Sequence, residues 1–146
     1  MKMNKKGFTL IELLVVIAII GLLSTLSILA LNTARARSRD ARRVADIKQI
    51  QTALEMYFND AGIYPANAGV ANNSPITYAS STYLAAVPVP PTPTNDGTCP
   101  TLSGVANLYT YVQTDSGLSY TLKYCLGAAV NDIPAGLRTA TPAGMR

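Results

Sequence analysis

"KKGFTLIELLVVIAIIGLL", residues 5–23, decides how the rest of the chain is read. Two lysines and a glycine give way at once to apolar sequence, and at the fifth position of that sequence stands a carboxylate, Glu12. The apolar run continues to Leu31. It covers residues 8–31, 24 in all, with Glu12 its only ionisable side chain and Thr9, Ser24, Thr25 and Ser27 its other polar ones. As a helix rising 1.5 Å per residue it spans about 36 Å, enough to cross a hydrocarbon core of about 30 Å with some tilt. An acid inside such a span costs on the order of 2.5–3.5 kcal/mol at the bilayer centre. Glu12 therefore poses a question: it either reaches the headgroups from near the end of the segment, or it serves a partner.

The chain has 146 residues, so one small domain at most follows the span. Its net charge of +4 is polarised along the sequence. Lys2, Lys5 and Lys6 precede the apolar run, Arg35, Arg37, Arg39, Arg42, Arg43 and Lys48 follow it, and only Lys123, Arg138 and Arg146 lie beyond. The charge belongs to the flanks of the span rather than to a basic patch on the distal domain.

Between Leu31 and Gly62 there is no glycine or proline, and strong helix formers dominate. Val44, Ile47, Ile50, Leu54, Tyr57 and Phe58 recur at spacings of three and four, while Arg42, Arg43, Asp46, Lys48, Gln49 and Glu55 largely avoid that stripe. An i,i+4 pair of Arg42 with Asp46 is expected on the solvent side. Gly62 reads as the C-terminal cap, and Pro65 cannot continue the helix. One helix of about fifty residues follows from these features, apolar all round in its first half and one-sided in its second.

Residues 66–96 read as loop with at most a short helix near residues 80–87, since "PVPPTPTNDG" is too rich in proline for a central strand. "LYTYVQTDSGLSYTLKYCL", residues 108–126, reads as a hairpin turning at Asp115, Ser116 and Gly117, with Leu118, Tyr120, Leu122, Tyr124 and Leu126 alternating onto one face. That face needs cover, and the stripe on the helix is the obvious partner. The tail after Leu126 reads as irregular or as one short strand. The expected fold class is α+β, a long N-terminal helix packed against a small antiparallel sheet.

The composition excludes several chemistries. With no histidine there is no Ser-His-Asp or Cys-His arrangement and no imidazole ligand. Asp96 and Asp132 lie in no run of closely spaced oxygen ligands, and no glycine-rich phosphate loop occurs. No catalytic residue, metal site or cofactor is expected. Cys99 and Cys125 permit one bridge, worth roughly 3–4 kcal/mol of chain entropy in an oxidising compartment; two separate thiols are the alternative.

Cutting the chain after Gly7 would create an α-amino group at Phe8, about one helical turn from Glu12. A neighbouring copy with a slight axial offset could bring that amine to Glu12 and so fix the register between subunits. At this point the sequence closely resembles the type IV pilins and the related pseudopilins of type II secretion and DNA-uptake systems. The resemblance rests on the basic leader, the glycine, the phenylalanine and the glutamate four residues later, all opening an apolar run, and it extends to about Pro65. "YFNDAGIYP" and "YLAAVPVPP" are similar to secretion-type and short-head members. The resemblance implies a leader at residues 1–7, removed by a prepilin peptidase, and N-methylation of Phe8. It further implies a membrane and filament-core helix over residues 8–31, an amphipathic continuation over 32–62, and an extracytoplasmic head over 63–146. Glu12 would pair with the Phe8 amine of a neighbour.

The implied function is a non-enzymatic structural subunit of a type IV pilus-like or pseudopilus filament, a homo-oligomer served by the assembly machinery. It would wait in the cytoplasmic membrane, N-terminus inside, before joining a surface or periplasmic filament. The chain departs from many members in having no proline before Pro65, which leaves Gly21, Ser24, Thr25 and Ser27 as the weak points of the span.

The arginines oppose this orientation. Three basic residues before the span and five arginines after it would, by the positive-inside rule, leave the head in the cytoplasm; leader removal requires the reverse. Arg35, Arg37, Arg39, Arg42 and Arg43 read as a solvated face that meets lipid headgroups and then neighbouring acids, or else as a DNA or other anionic contact. The competing class is a secreted binding protein whose run from Phe8 to Ala30 is an ordinary signal peptide, or a monomeric membrane-anchored DNA-uptake receptor. An apolar core of 7 to 15 residues is usual for such a signal, and this one is too long.

Overall fold

The structure, a computed structural model, describes residues 7–93, 97, 99 and 108–146. The chain divides into two compact units, Met1–Arg35 and Ala36–Arg146. A single helix, α1 (Leu10–Ala61), contributes to both. It closes as the sequence implies: Gly62 takes the left-handed conformation (φ 73°) and donates its N–H to Phe58 O at 2.8 Å.

In the first unit α1 is apolar on every side. Its large aliphatic side chains from Leu10 to Leu31 range from 47% exposed at Val15 to 81% at Leu10. The helix is long and apolar enough to cross a membrane. Ser24, Thr25 and Ser27 fit this surface because their hydroxyls donate to the carbonyls of Ile20, Leu22 and Leu23 at 2.7–2.8 Å. These bonds leave little polarity for lipid to solvate, and they are of a kind that bends helices slightly.

The second unit is built on the other half of α1. Val44, Ile47, Ile50, Ala53 and Leu54 are buried, with Tyr57 and Phe58 packed at the margin. Over them lies a four-stranded antiparallel sheet in the order β3 (Thr110–Thr114), β4 (Ser119–Leu126), β5 (Gly136–Thr141), β6 (Gly144–Met145). Tyr111 pairs with Leu122 and Leu122 with Ala140, so the three share the inner face, joined by Tyr120, Tyr124 and Leu126. Each fully buried side chain of this size contributes roughly 1.5–3 kcal/mol, which makes the helix–sheet face the main source of stability. The α+β architecture is therefore as the sequence implies.

Three local expectations are corrected. Residues 66–96 hold a two-stranded antiparallel hairpin, β1 (Ile76–Tyr78) with β2 (Ser81–Leu84), where a loop or short helix was expected; Ala79 turns it with φ 52°. Leu118 is 65% exposed, because it sits in the helical region at the end of the Asp115–Gly117 turn rather than in β4. The tail supplies two strands, not one or none, and β5 completes the cover of α1.

The largest correction concerns charge. Arg43 and Asp46, expected to avoid the buried stripe, are 2% and 8% exposed, and Asp40 beside them is 0% exposed. Arg43 Nη1 lies 2.6 Å from Asp40 Oδ1, and Arg43 Nη2 donates to Pro93 O at 3.0 Å and Pro91 O at 3.4 Å. Asp40 also accepts from the backbone N–H groups of Gly127 and Ala128, both at 2.9 Å. A buried ion pair survives only when its remaining hydrogen-bonding capacity is met, and here two loops meet it. The Cys99–Cys125 disulfide ties Cys99 to β4, two residues before Gly127. Gly97 is required there, since a Cβ would fall 2.3 Å from Gly127 O.

Asp46 does not join Arg42 in an ion pair among the described residues. Its Oδ2 accepts from the Tyr109 hydroxyl at 2.8 Å. Burial, and then Asp46, push the Tyr109 phenol well above its usual range. Burial does the same to Tyr64 and Tyr111, pushes Tyr120 up to about 12, and raises Tyr124.

Candidate assembly site

The N-terminal turn of α1 begins with Thr9 outside the helix and Leu10 inside it. Thr9 N–H donates to Glu12 Oε2 at 2.8 Å, the Thr9 hydroxyl donates to the same oxygen at 2.7 Å, and Glu12 N–H donates to Thr9 Oγ1 at 3.3 Å. This reciprocal arrangement is a capping box, in which the first and fourth residues satisfy each other's free amides. The signature Thr-x-x-Glu is plain in "TLIE" at residues 9–12; Thr9 is the site residue that reasoning from Glu12 alone passed over.

Glu12 is thus held in place but only half used. Oε2 accepts both bonds, whereas Oε1 accepts none among the described residues. Phe8, 91% exposed, stands immediately before Thr9. A Cβ added at Gly7 would meet nothing within 4 Å, so the fold of this chain does not require glycine there. Among the described residues, then, Gly7 and Phe8 make no packing contact that explains them, while Glu12 caps its own helix.

The other candidates lie in different places. Cys99 and Cys125 are bridged. Arg35, Arg37 and Arg42 are exposed, Arg39 is half-buried, and Arg43 belongs to the buried pair with Asp40, which withdraws it from any anionic surface. Asp132 is described and Asp96 lies outside the described residues; among the described residues no cluster of acids or cysteines suits a metal.

A long helix with an exposed apolar first half, and a second half packed under a small antiparallel sheet with one disulfide, defines the architecture. The comparisons agree. Residues 2–28 match the prokaryotic N-terminal methylation motif. The chain is 31% identical over 99 residues to the type II secretion system core protein G of Aeromonas hydrophila, covering 62% of this chain and 69% of that protein. It is 36% identical over 89 residues to the fimbrial protein EcpC of Eikenella corrodens, covering 59% of this chain and 58% of that one. To the type IV major pilin protein PilE1 of Neisseria gonorrhoeae it is 37% identical over 87 residues, covering 58% of this chain and 40% of the pilin. No solved structure matches. The chain belongs to the type IV pilin and pseudopilin family, whose members are structural proteins and not enzymes.

Proposed function

We propose that this chain is a structural subunit that polymerises through α1 into a type IV pilus-like or pseudopilus filament. Residues 1–7 are a leader cut by a prepilin peptidase between Gly7 and Phe8, and Phe8 is then N-methylated. Residues 8–31 anchor the subunit in the cytoplasmic membrane with the head outside, and later form the filament core; residues 32–62 carry the head, 63–146. The assembly machinery moves the subunit from membrane to a surface or periplasmic filament.

The observation that carries this reading is that Glu12 Oε1 accepts no bond among the described residues, beside an exposed Phe8, on a helix whose large aliphatic side chains from Leu10 to Leu31 are exposed. A neighbour's Phe8 amine supplies the missing donor, and neighbouring helices replace lipid on the apolar surface. The unneeded glycine at position 7 supports recognition from outside, by the peptidase.

Processing is tested by mass analysis of the mature N-terminus. N-methylated Phe8 is expected, and Gly7→Leu is expected to leave an uncleaved precursor in the membrane. A mature chain starting near Leu31 or Asn32 would instead make residues 8–30 an ordinary signal peptide.

A further inference from the structure

The second unit keeps most of its tyrosines inside. Of the eight in the chain, Tyr64, Tyr109, Tyr111, Tyr120 and Tyr124 are buried, Tyr57 and Tyr83 are half-buried, and Tyr78 is 42% exposed. The three that reach the surface also meet one another. The Tyr57 ring, on α1, lies 5.3 Å from the Tyr78 ring and 5.9 Å from the Tyr83 ring, centre to centre, inclined at 60° and 64°. Aromatic rings at such separations are in contact. Tyr78 ends β1 and Tyr83 lies in β2, so Tyr57 is a point where the hairpin meets the helix. The Tyr83 hydroxyl donates to Asp60 Oδ2 at 2.5 Å.

The chemistry of the chain directs a one-electron oxidant to this cluster. There is no tryptophan, and both cysteines are bridged, so phenols are the groups that give up a single electron most readily. The five other phenols are buried away from solvent. A phenol that loses an electron must lose its proton as well, and the Asp60 carboxylate is in place to take that of Tyr83. The hairpin, for its part, gains from a further hold. Its strands have three and four residues and pair only with each other, and an isolated two-stranded hairpin is marginally stable.

We propose that Tyr57 and Tyr78 form an oxidative cross-linking site, at which a peroxidase-type oxidant joins the two rings as dityrosine and fastens the β1–β2 hairpin to α1. Two hydroxyl hydrogens are removed, each as one electron and one proton. The two phenoxyl radicals couple through ring carbons ortho to oxygen, and the hydrogens on those carbons move to the oxygens to restore the phenols. Hydrogen peroxide takes up both electrons and both protons and leaves as two waters. Tyr83 is an entry point: oxidised first, it takes an electron from Tyr57 and its proton back from Asp60, and so passes the radical on. The site lies wholly in the second unit and does not depend on the function proposed above.

The full chain in detergent micelles is treated with hydrogen peroxide and a haem peroxidase and, in parallel, with a photo-excited ruthenium complex and persulfate, a small oxidant that needs no docking. The product should be monomeric, two hydrogens lighter than the untreated disulfide form, and fluorescent as dityrosine. Cleavage before aspartates should leave the peptide of residues 46–59 joined to that of residues 60–95, with fragment masses placing the link at Tyr57 and Tyr78. Tyr57→Phe and Tyr78→Phe keep the rings, should unfold in urea as wild type does, and should each abolish the link. Tyr124→Phe should leave its yield unchanged, since the Tyr124 hydroxyl is buried and has no hydrogen-bond partner among the described residues. Asp60→Asn keeps an acceptor for Tyr83 but removes the base, and should slow the coupling. Links formed only between chains, an intrachain link at another pair, or conversion of the exposed Met56 to its sulfoxide without dityrosine under both oxidants would overturn the site. Coupling at the wild-type rate in Asp60→Asn would overturn the part given to Tyr83 and Asp60.

Discussion

Residues 10–31 and 40–54 belong to one helix, yet they treat polarity in opposite ways. In the first stretch every large aliphatic side chain is exposed, and the one acid sits at the helix start with an oxygen to spare. In the second, an aspartate and an arginine are among the most buried side chains, and loops of the same chain satisfy them. The difference teaches where each half finds its complement. The second half buries its apolar and charged side chains against the head, whereas the first leaves its apolar side chains exposed, to be covered by lipid or other copies under the function proposed above.

Alkaline pH should break this comparison most strongly. Tyr64, Tyr109, Tyr111, Tyr120 and Tyr124 all have phenols raised by burial in the second unit. A group whose folded pKa exceeds its unfolded value stabilises fully below the unfolded value, about 10 for tyrosine, and loses that contribution as pH rises through the folded value. Stability should therefore hold to about pH 10 and then fall, with Tyr120 ionising near 12 if the fold survives that far. Phenolate absorbance should rise together with loss of near-ultraviolet dichroism. Residues 8–35 contain no tyrosine, so their helix in detergent micelles should outlast the transition. Phenolate formation at pH 10 with tertiary structure intact would mean that the tyrosines are accessible.

Next in size is the buried pair. Asp40→Asn or Arg43→Met should each cost about 3–5 kcal/mol, because the surviving partner is left buried and uncompensated. The double variant should recover part of that loss, though not all, since asparagine offers one acceptor oxygen to the two amides of Gly127 and Ala128. Urea unfolding of the full chain in detergent measures all three. Singles within about 0.5 kcal/mol of wild type would place the pair in solvent, where surface substitutions behave that way.

The disulfide is expected to matter somewhat less. Cys99→Ser with Cys125→Ser should cost roughly 3 kcal/mol, the chain entropy of a loop of this size, while Asp40 and Arg43 still hold Pro91, Pro93, Gly127 and Ala128. Its existence is checked first: intact protein should weigh two hydrogens less than its reduced form and resist alkylation. Two freely alkylatable thiols would contradict the bridge.

The legible parts of the molecule were those whose pattern repeats over many residues. The apolar run, the stripe from Val44 to Leu54 and the alternation from Tyr120 to Leu126 each announce their partner surface by periodicity. Strands β1 and β2 were not legible, because three and four residues are too few to show a period and the turn between them uses an alanine at positive φ. The burial of Arg43, expected on the solvated face, and of Asp40, which pairs with it, escapes the sequence for a different reason. Their burial depends on carbonyls of Pro91 and Pro93 and amides of Gly127 and Ala128, partners about fifty and ninety residues away that no local pattern announces. At the N-terminal turn the motif was visible, but the chemistry of an acid in an apolar run drew attention from Thr9, its capping partner.

The capping box makes Glu12→Gln an unusually clean substitution. Glutamine also serves at the fourth position of the box, so the helix start is preserved while the charge is removed. The second unit, which Glu12 does not touch, should unfold as in wild type. In cells expressing only the variant, sheared filaments are counted by electron microscopy beside a parallel membrane fraction. The account predicts processed, membrane-embedded monomer with few or no filaments, since a neighbour's Phe8 amine has lost its counter-ion. Normal filament yield with normal insertion would contradict it, and would reduce Glu12 to the cap of its own helix.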